Sequence, residues 1–151
     1  MQKVNLKTKN ISKTIMPILL IIFSILIMVC YFYTKNHKII QINGQKFFVE
    51  LAKTSEKQMR GLGGRVKIGE KEGMLFDFSK YGEYSFWMKD MKFDLDIFWI
   101  NEGKIVYIAK NVSHESLETI NPQIMADKVL EINSGLTDRY NFKIGDSVKI
   151  Y

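Results

Sequence analysis

Between Ile15 and Tyr33 stand 19 consecutive residues without a charge and with almost nothing polar. At about 1.5 Å of rise per residue the run makes a helix of roughly 28 Å, enough to cross the hydrocarbon core of a bilayer. Lys3, Lys7, Lys9 and Lys13 precede it, whereas only Lys35 and Lys38 follow closely. That asymmetry places the N-terminus in the cytoplasm and everything beyond the span outside. The run is longer than the roughly 7 to 15 apolar residues of a cleaved signal, and no small-x-small cleavage site follows. Val29 before Cys30 is too bulky for a lipidated cysteine. An uncleaved single-pass anchor is therefore predicted. Pro17 is read as falling in the first turn of its helix, where the missing N–H does little harm.

The chain accordingly divides into a basic cytoplasmic segment (1–14), a transmembrane anchor (15–33), a polar linker from Thr34 to Lys38, and one globular domain (39–151). The formal charge of +6 belongs to the first 38 residues, which hold six lysines and no carboxylate. The domain balances sixteen cations against sixteen carboxylates. It has no excess charge with which to grip phosphates, so nucleic acid is excluded as a partner. Cys30 is the only cysteine and lies inside the span. The exported domain thus has neither a disulfide nor a nucleophilic thiol.

The remaining pattern is mainly that of strands. Ile39–Ile42 and Gln45–Leu51 flank Asn43-Gly44, a strong hairpin signal because both residues tolerate positive φ. Thr54 or Ser55 can cap a short helix to Arg60, ended by Gly61. Strands are predicted at Gly73–Phe78, Tyr84–Met88, Leu95–Ile100, Lys104–Lys110, Val129–Asn133 and Ser147–Ile150. Leu136–Tyr140 reads as a helical turn. The expected fold is mainly β within the α+β class: a small barrel-like or folded antiparallel sheet with one or two short helices, behind a single transmembrane helix.

Ordered blocks run through the domain: Glu50-Leu51-Ala52, Gly61-Leu62 with Arg65, Gly73-Met74-Leu75-Phe76, Phe86-Trp87-Met88-Lys89, Leu95-Asp96-Ile97-Phe98, Leu130 to Gly135, and Gly145-Asp146. In this order and spacing the domain resembles the bacterial and archaeal family called domain of unknown function 192. The resemblance implies a small β-rich fold, often exported behind a signal or anchor, and no established activity. The chain departs from the family pattern at Gly63, where Met is usual. It departs again at Met91 and Asp94, where Thr and Pro are usual.

Several residues invite chemistry. Asp94 and Asp96 lie about 6 to 7 Å apart on one strand face, a spacing open to acid–base work or a hard cation. Asp96 alone carries over from the resemblance, and the structural alternative is a carboxylate that accepts hydrogen bonds from the backbone or from Arg65 and fixes a turn. Arg65, Glu50 and Glu131 sit in apolar or glycine-rich surroundings. The expected pairing joins Arg65 to Asp96 or Glu131, either as an internal ion pair or as the wall of a pocket for a ligand carboxylate.

In Phe86-Trp87-Met88-Lys89 an extended chain turns Phe86 and Met88 one way, Trp87 and Lys89 the other. The stretch serves either as plain core or as an aromatic platform for sugars or peptides. Met74, Met88 and Met91, with Trp87 or His114, could instead gather Cu(I). Nothing in the chain resembles a histidine metal motif, a Gly-x-Ser-x-Gly elbow or a phosphate loop.

The reading that results is a membrane-anchored extracytoplasmic module of the cell envelope, non-catalytic and without a cofactor. Its ligand or partner is a glycan, a peptide or an envelope protein, held by Arg65, Phe86, Trp87, Met88, Lys89, Asp96 and Glu131. Two alternatives stand beside it: a hydrolase or transferase of envelope polymers using Asp96 and Glu131, and a copper-handling module built on the three methionines.

Overall fold

The structure, a computed structural model, describes residues 11–151. Lys3, Lys7 and Lys9 of the predicted cytoplasmic segment lie outside the described residues. The chain separates into a unit ending at Asn36 and a second unit, His37–Tyr151.

The first unit is helix α1 (Ile11–Asn36), of which Ile15–Asn36 is long and apolar enough to cross a membrane. A membrane anchor and a signal sequence share that property. Its apolar side chains are exposed along the whole run, an arrangement costly in water and natural in lipid. Polar groups inside the run are satisfied on the helix itself: the Ser24 hydroxyl donates to the Ile21 carbonyl at 2.8 Å and Thr34 to Tyr31 at 3.0 Å. Two expectations are corrected. Because α1 begins before the apolar run, Pro17 lies inside the helix rather than in its first turn. The segment read as a linker is regular structure, with Thr34–Asn36 closing α1 and His37 and Lys38 opening the first strand.

The second unit holds strands β1 (His37–Ile42), β2 (Gln45–Ala52), β3 (Glu72–Glu83), β4 (Leu95–Asn101), β5 (Lys104–Val112), β6 (Met125–Asn133) and β7 (Val148–Ile150). Helix α2 (Ser55–Arg60) follows β2, and the single turn α3 (Leu136–Arg139) follows β6. The strands form one sheet in the order β5-β4-β6-β3-β2-β1-β7. It curls until its edges meet: Lys104 bridges Ser147, Ile105 N–H donates to Asp146 at 3.0 Å, and Val148 N–H to Gly103 at 2.8 Å. The barrel-like, mainly β fold expected from the strand pattern is the fold observed.

Local turn chemistry accounts for most of the connections. Asn43 and Gly44 take φ of 47° and 80° and join β1 to β2, while Glu102 and Gly103 do the same between β4 and β5. Thr54 caps α2 by accepting the Lys57 N–H at 3.3 Å. Two features depart from the sequence reading. The pairing of β2 with β3 is parallel, reached through the crossover that contains α2, in an otherwise antiparallel sheet. Tyr84–Met88 is not a strand, since only Phe86 pairs there, with Ile120.

The two faces of the sheet carry separate cores. One gathers side chains from every strand, among them Ile40, Phe47, Leu75, Phe98, Ile105, Leu130 and Val148. The other joins Met74, Phe76, Ile97, Trp99 and Val129 to Leu62, Phe86 and Met88 from the connecting segments. Each large side chain buried in this way contributes about 1.5–3 kcal/mol. The second face holds the site.

Candidate functional site

Side chains alternate along a strand, so register decides which groups can meet. Glu50, Met74, Glu131 and Ile97 stand side by side across β2, β3, β6 and β4. Two carboxylates therefore flank one methionine on the second face, and Arg65 pairs with only one of them. Arg65 takes Glu50 with both terminal nitrogens, Nη1 to Oε1 at 2.5 Å and Nη2 to Oε2 at 3.0 Å. This fork corrects the expected pairing of Arg65 with Asp96 or Glu131. The hydrogen bonds from Arg65 hold Glu50 below the usual carboxylate range against the effect of burial, and Glu50 raises Arg65 in return.

Glu131 is left over. It is 5% exposed, and its Oε2 has no hydrogen-bond partner. Burial pushes its carboxyl up to about 8, with the charge of Arg65 pulling weakly the other way. Near neutral pH it carries a proton and is a donor without an acceptor.

Glu131 borders a cleft of about 280 Å³ whose walls are largely aromatic: Phe76, Phe78, Tyr84, Phe86 and Trp87. Trp99 of β4 donates its indole N–H to the carbonyl of Tyr84, a cleft residue, at 2.7 Å. Phe86 meets Phe76 edge-to-face at 4.8 Å between ring centres and Trp99 at 5.5 Å. The Phe86–Ile120 pair of backbone hydrogen bonds, 3.0 and 2.7 Å, fixes this segment over the sheet. Gly61, the C-cap of α2, borders the cleft. Its φ of 52° and ψ of −135° suit glycine, and a Cβ there would stand 3.4 Å from Phe76 Cζ and 3.7 Å from Glu131 Oε2.

Phe86 and Met88 are buried, while Trp87 is 56% exposed. Lys89 lies with Trp87 on the outer side, its Nζ 5.9 Å from the indole. A second hollow of about 400 Å³ lies on the other side, bordered by Met88, His114 and Glu115. Trp87, Lys89 and Met91 border both hollows and form a ridge between them. Of the residues singled out from sequence, Phe86, Trp87, Lys89 and Glu131 thus border the first cleft and Met88 the second; Arg65 and Asp96 border neither. The contributions of Tyr84, Phe76 and Gly61 were missed. Gly61 had registered only as a helix stop, and no local signal marks the two rings.

The carboxylate pairs considered for catalysis do not assemble. Asp96 is fully buried, and accepts from the backbone N–H of Asn111 at 2.8 Å and of Thr137 at 2.8 Å. It sits opposite Ile132 in the register, on the face away from Glu131. Asp94 engages His114 instead, through the backbone N–H at 2.8 Å and ring Nδ1 at 2.7 Å, and these bonds hold it below the usual carboxylate range. The three methionines of the copper reading do not meet in one hollow: Met88 and Met91 both border the second, and Met74 borders neither. Among the described residues no cluster of three His, Cys, Asp or Glu side chains could hold a metal.

Comparison with known proteins follows the fold. The model of the DUF192 family, described as uncharacterized ACR, COG1430, matches residues 38–150. The crystal structure of a candidate transcription regulator from Sinorhizobium meliloti is 28% identical, with a TM-score of 0.72 over 76% of this chain and 92% of that one. A protein of unknown function from Novosphingobium aromaticivorans is 32% identical, with a TM-score of 0.69 over 75% of this chain and 83% of that one. No curated protein matches.

Proposed function

The chain belongs to the DUF192 family, whose description names no reaction, and from that premise we propose that it is a non-catalytic binding module tethered to the membrane by α1, with His37–Tyr151 on the outer side. The orientation rests on the lysine excess before the span. The carrying observation for the binding role is the ridge. A large indole 56% exposed between two hollows is the geometry of a surface that an extended ligand crosses, contacting both sides at once.

Carboxylate hydrolysis has little to build on here, because Asp96 and Glu131 project from opposite faces and cannot share a reacting bond. A role in transcription is the description of the Sinorhizobium protein. In this chain the charge balance after residue 38 leaves no cationic surplus for phosphates.

The test is thermal unfolding of the full chain in detergent micelles, with soluble envelope glycan fragments and with a peptide panel. One class is expected to raise the midpoint, and Trp87→Ala to cancel the rise; saturation at a hundredfold over Kd stabilises by about 2.7 kcal/mol. No rise with either class, or a rise that survives Trp87→Ala, overturns the reading.

A further inference from the structure

We infer that the Trp87 ridge holds an extended peptide, which places a large apolar side chain in the first cleft and an acidic group beside it against Arg60 and Lys89. The inference deepens the binding reading above and rests on it.

The first cleft suits an apolar side chain. Of its lining, Met59 and Trp87 are exposed, at 70% and 56%, and Phe78, Tyr84 and Met91 are partly buried. Methionine surfaces adapt to apolar partners of varied shape. Neutral polar groups at the cleft are in part already engaged. The Gln58 amide donates to the carbonyls of Ala52 at 3.1 Å and Asp77 at 3.5 Å, and the Tyr84 hydroxyl donates to that of Lys80. Few partners remain for the hydroxyls of a sugar, each of which is costly to bury unpaired.

Charge sets what stands beside that side chain. Arg60 and Lys89 border the same cleft and are exposed, and among the described residues neither joins an ion pair. Gly63 lets the two segments meet. A Cβ there would stand 2.9 Å from the Arg60 carbonyl oxygen and 3.2 Å from that of Lys89. The junction is closed by hydrogen bonds from Gly63 N–H to the Arg60 carbonyl at 3.0 Å and from Gly64 N–H to that of Asp90 at 2.9 Å. The one carboxyl that borders this cleft, Glu131, is buried. An acidic group is attracted here and a basic one repelled.

The second hollow is of another kind. It is bordered by Asp90, His114, Glu115, Ser116, Leu117 and Thr119. Among the described residues the backbone N–H groups of Leu117 and Thr119 make no hydrogen bond, so they are open to the carbonyls of a peptide main chain. Asp90 and Glu115 lie on this side of the ridge, so the acidic group belongs on the side of Arg60. An acidic lipid would use the apolar surface and the cations but not the main-chain donors. An acidic glycan would use the cations and the donors but not the apolar surface. A peptide uses all three.

The experiment is fluorescence anisotropy of labelled, end-blocked pentapeptides with the full chain in nanodiscs of neutral phosphatidylcholine. The peptides carry Phe-Asp, Trp-Asp, Leu-Asp or Met-Asp between glycines. At least one is expected to bind. Alanine in place of its apolar residue is expected to weaken binding by about tenfold to a hundredfold, and asparagine in place of aspartate by up to about fivefold. Arg60→Glu combined with Lys89→Glu, both at exposed positions, is expected to turn the preference toward peptides with lysine in place of aspartate. Equal affinity for the aspartate and lysine peptides, or a preference unmoved by the charge reversal, overturns the inference. Displacement of the peptide by phosphatidylglycerol added to the disc, or by oligogalacturonate, assigns the site to a lipid or a glycan and overturns it too. Trp87-dependent binding of glycan fragments with no peptide bound overturns it while leaving the binding reading standing; no Trp87-dependent binding of any probe removes both.

Discussion

Glu131 carries a cost that the fold accepts. Its carboxyl moves from 4.5 to about 8 on folding, so between those values the native chain binds a proton that the unfolded chain has released. Stability therefore declines as pH rises through this window, by about 1.4 kcal/mol per unit at most, and levels off above pH 8. Glu50 and Asp94 are lowered; the stability they add is present above their unfolded values and lost as acid protonates them, in a window below that of Glu131. Urea denaturation between pH 5 and 8 is expected to show the decline in the wild type and to lose it in Glu131→Gln. Sequence alone marked Glu131 as a charge inside an apolar motif. It could not show that Arg65 would turn to Glu50, because that choice depends on strands far apart in the chain.

At the scale of elements, Asp96 works as a pin. From β4 it reaches the N–H of Asn111 near the end of β5 and that of Thr137 in α3. Asp96→Ala leaves both donors without their acceptor, at about 1–3 kcal/mol each. A loss of that size in unfolding free energy is expected, with binding at Trp87 unchanged in the folded fraction. The elements most legible from sequence are those set by local turn chemistry: the Asn43-Gly44 and Glu102-Gly103 hairpins, and α2 between Thr54 and Gly61. Tyr84–Met88 misled because its alternation of buried Phe86 and Met88 with exposed Trp87 and Lys89 looks like a strand. The alternation comes from an irregular segment lying on a sheet face, with Phe86 alone making a bridge. The parallel β2–β3 pairing was equally hidden, since no short-range signal specifies which strand a crossover returns to.

At the scale of the whole molecule, the apolar span and the charge-balanced unit were both readable, one from length and hydropathy, the other from counting charges. The cleft was readable only in fragments, because its walls come from α2, β3, β6 and the 84–93 segment. The outward orientation predicts that an exposed cysteine at Lys149, placed in a Cys30→Ser background, reacts with a membrane-impermeant maleimide on intact cells. Labelling only after lysis would reverse the orientation. The account of the second sheet face depends on one buried group, Glu131, kept protonated and unpaired. Carboxyl-carbon NMR of Glu131 in the full chain measures that most directly, and a midpoint near 8 is the predicted result. A midpoint in the ordinary carboxylate range would mean that Glu131 is already charged and compensated, and would contradict it.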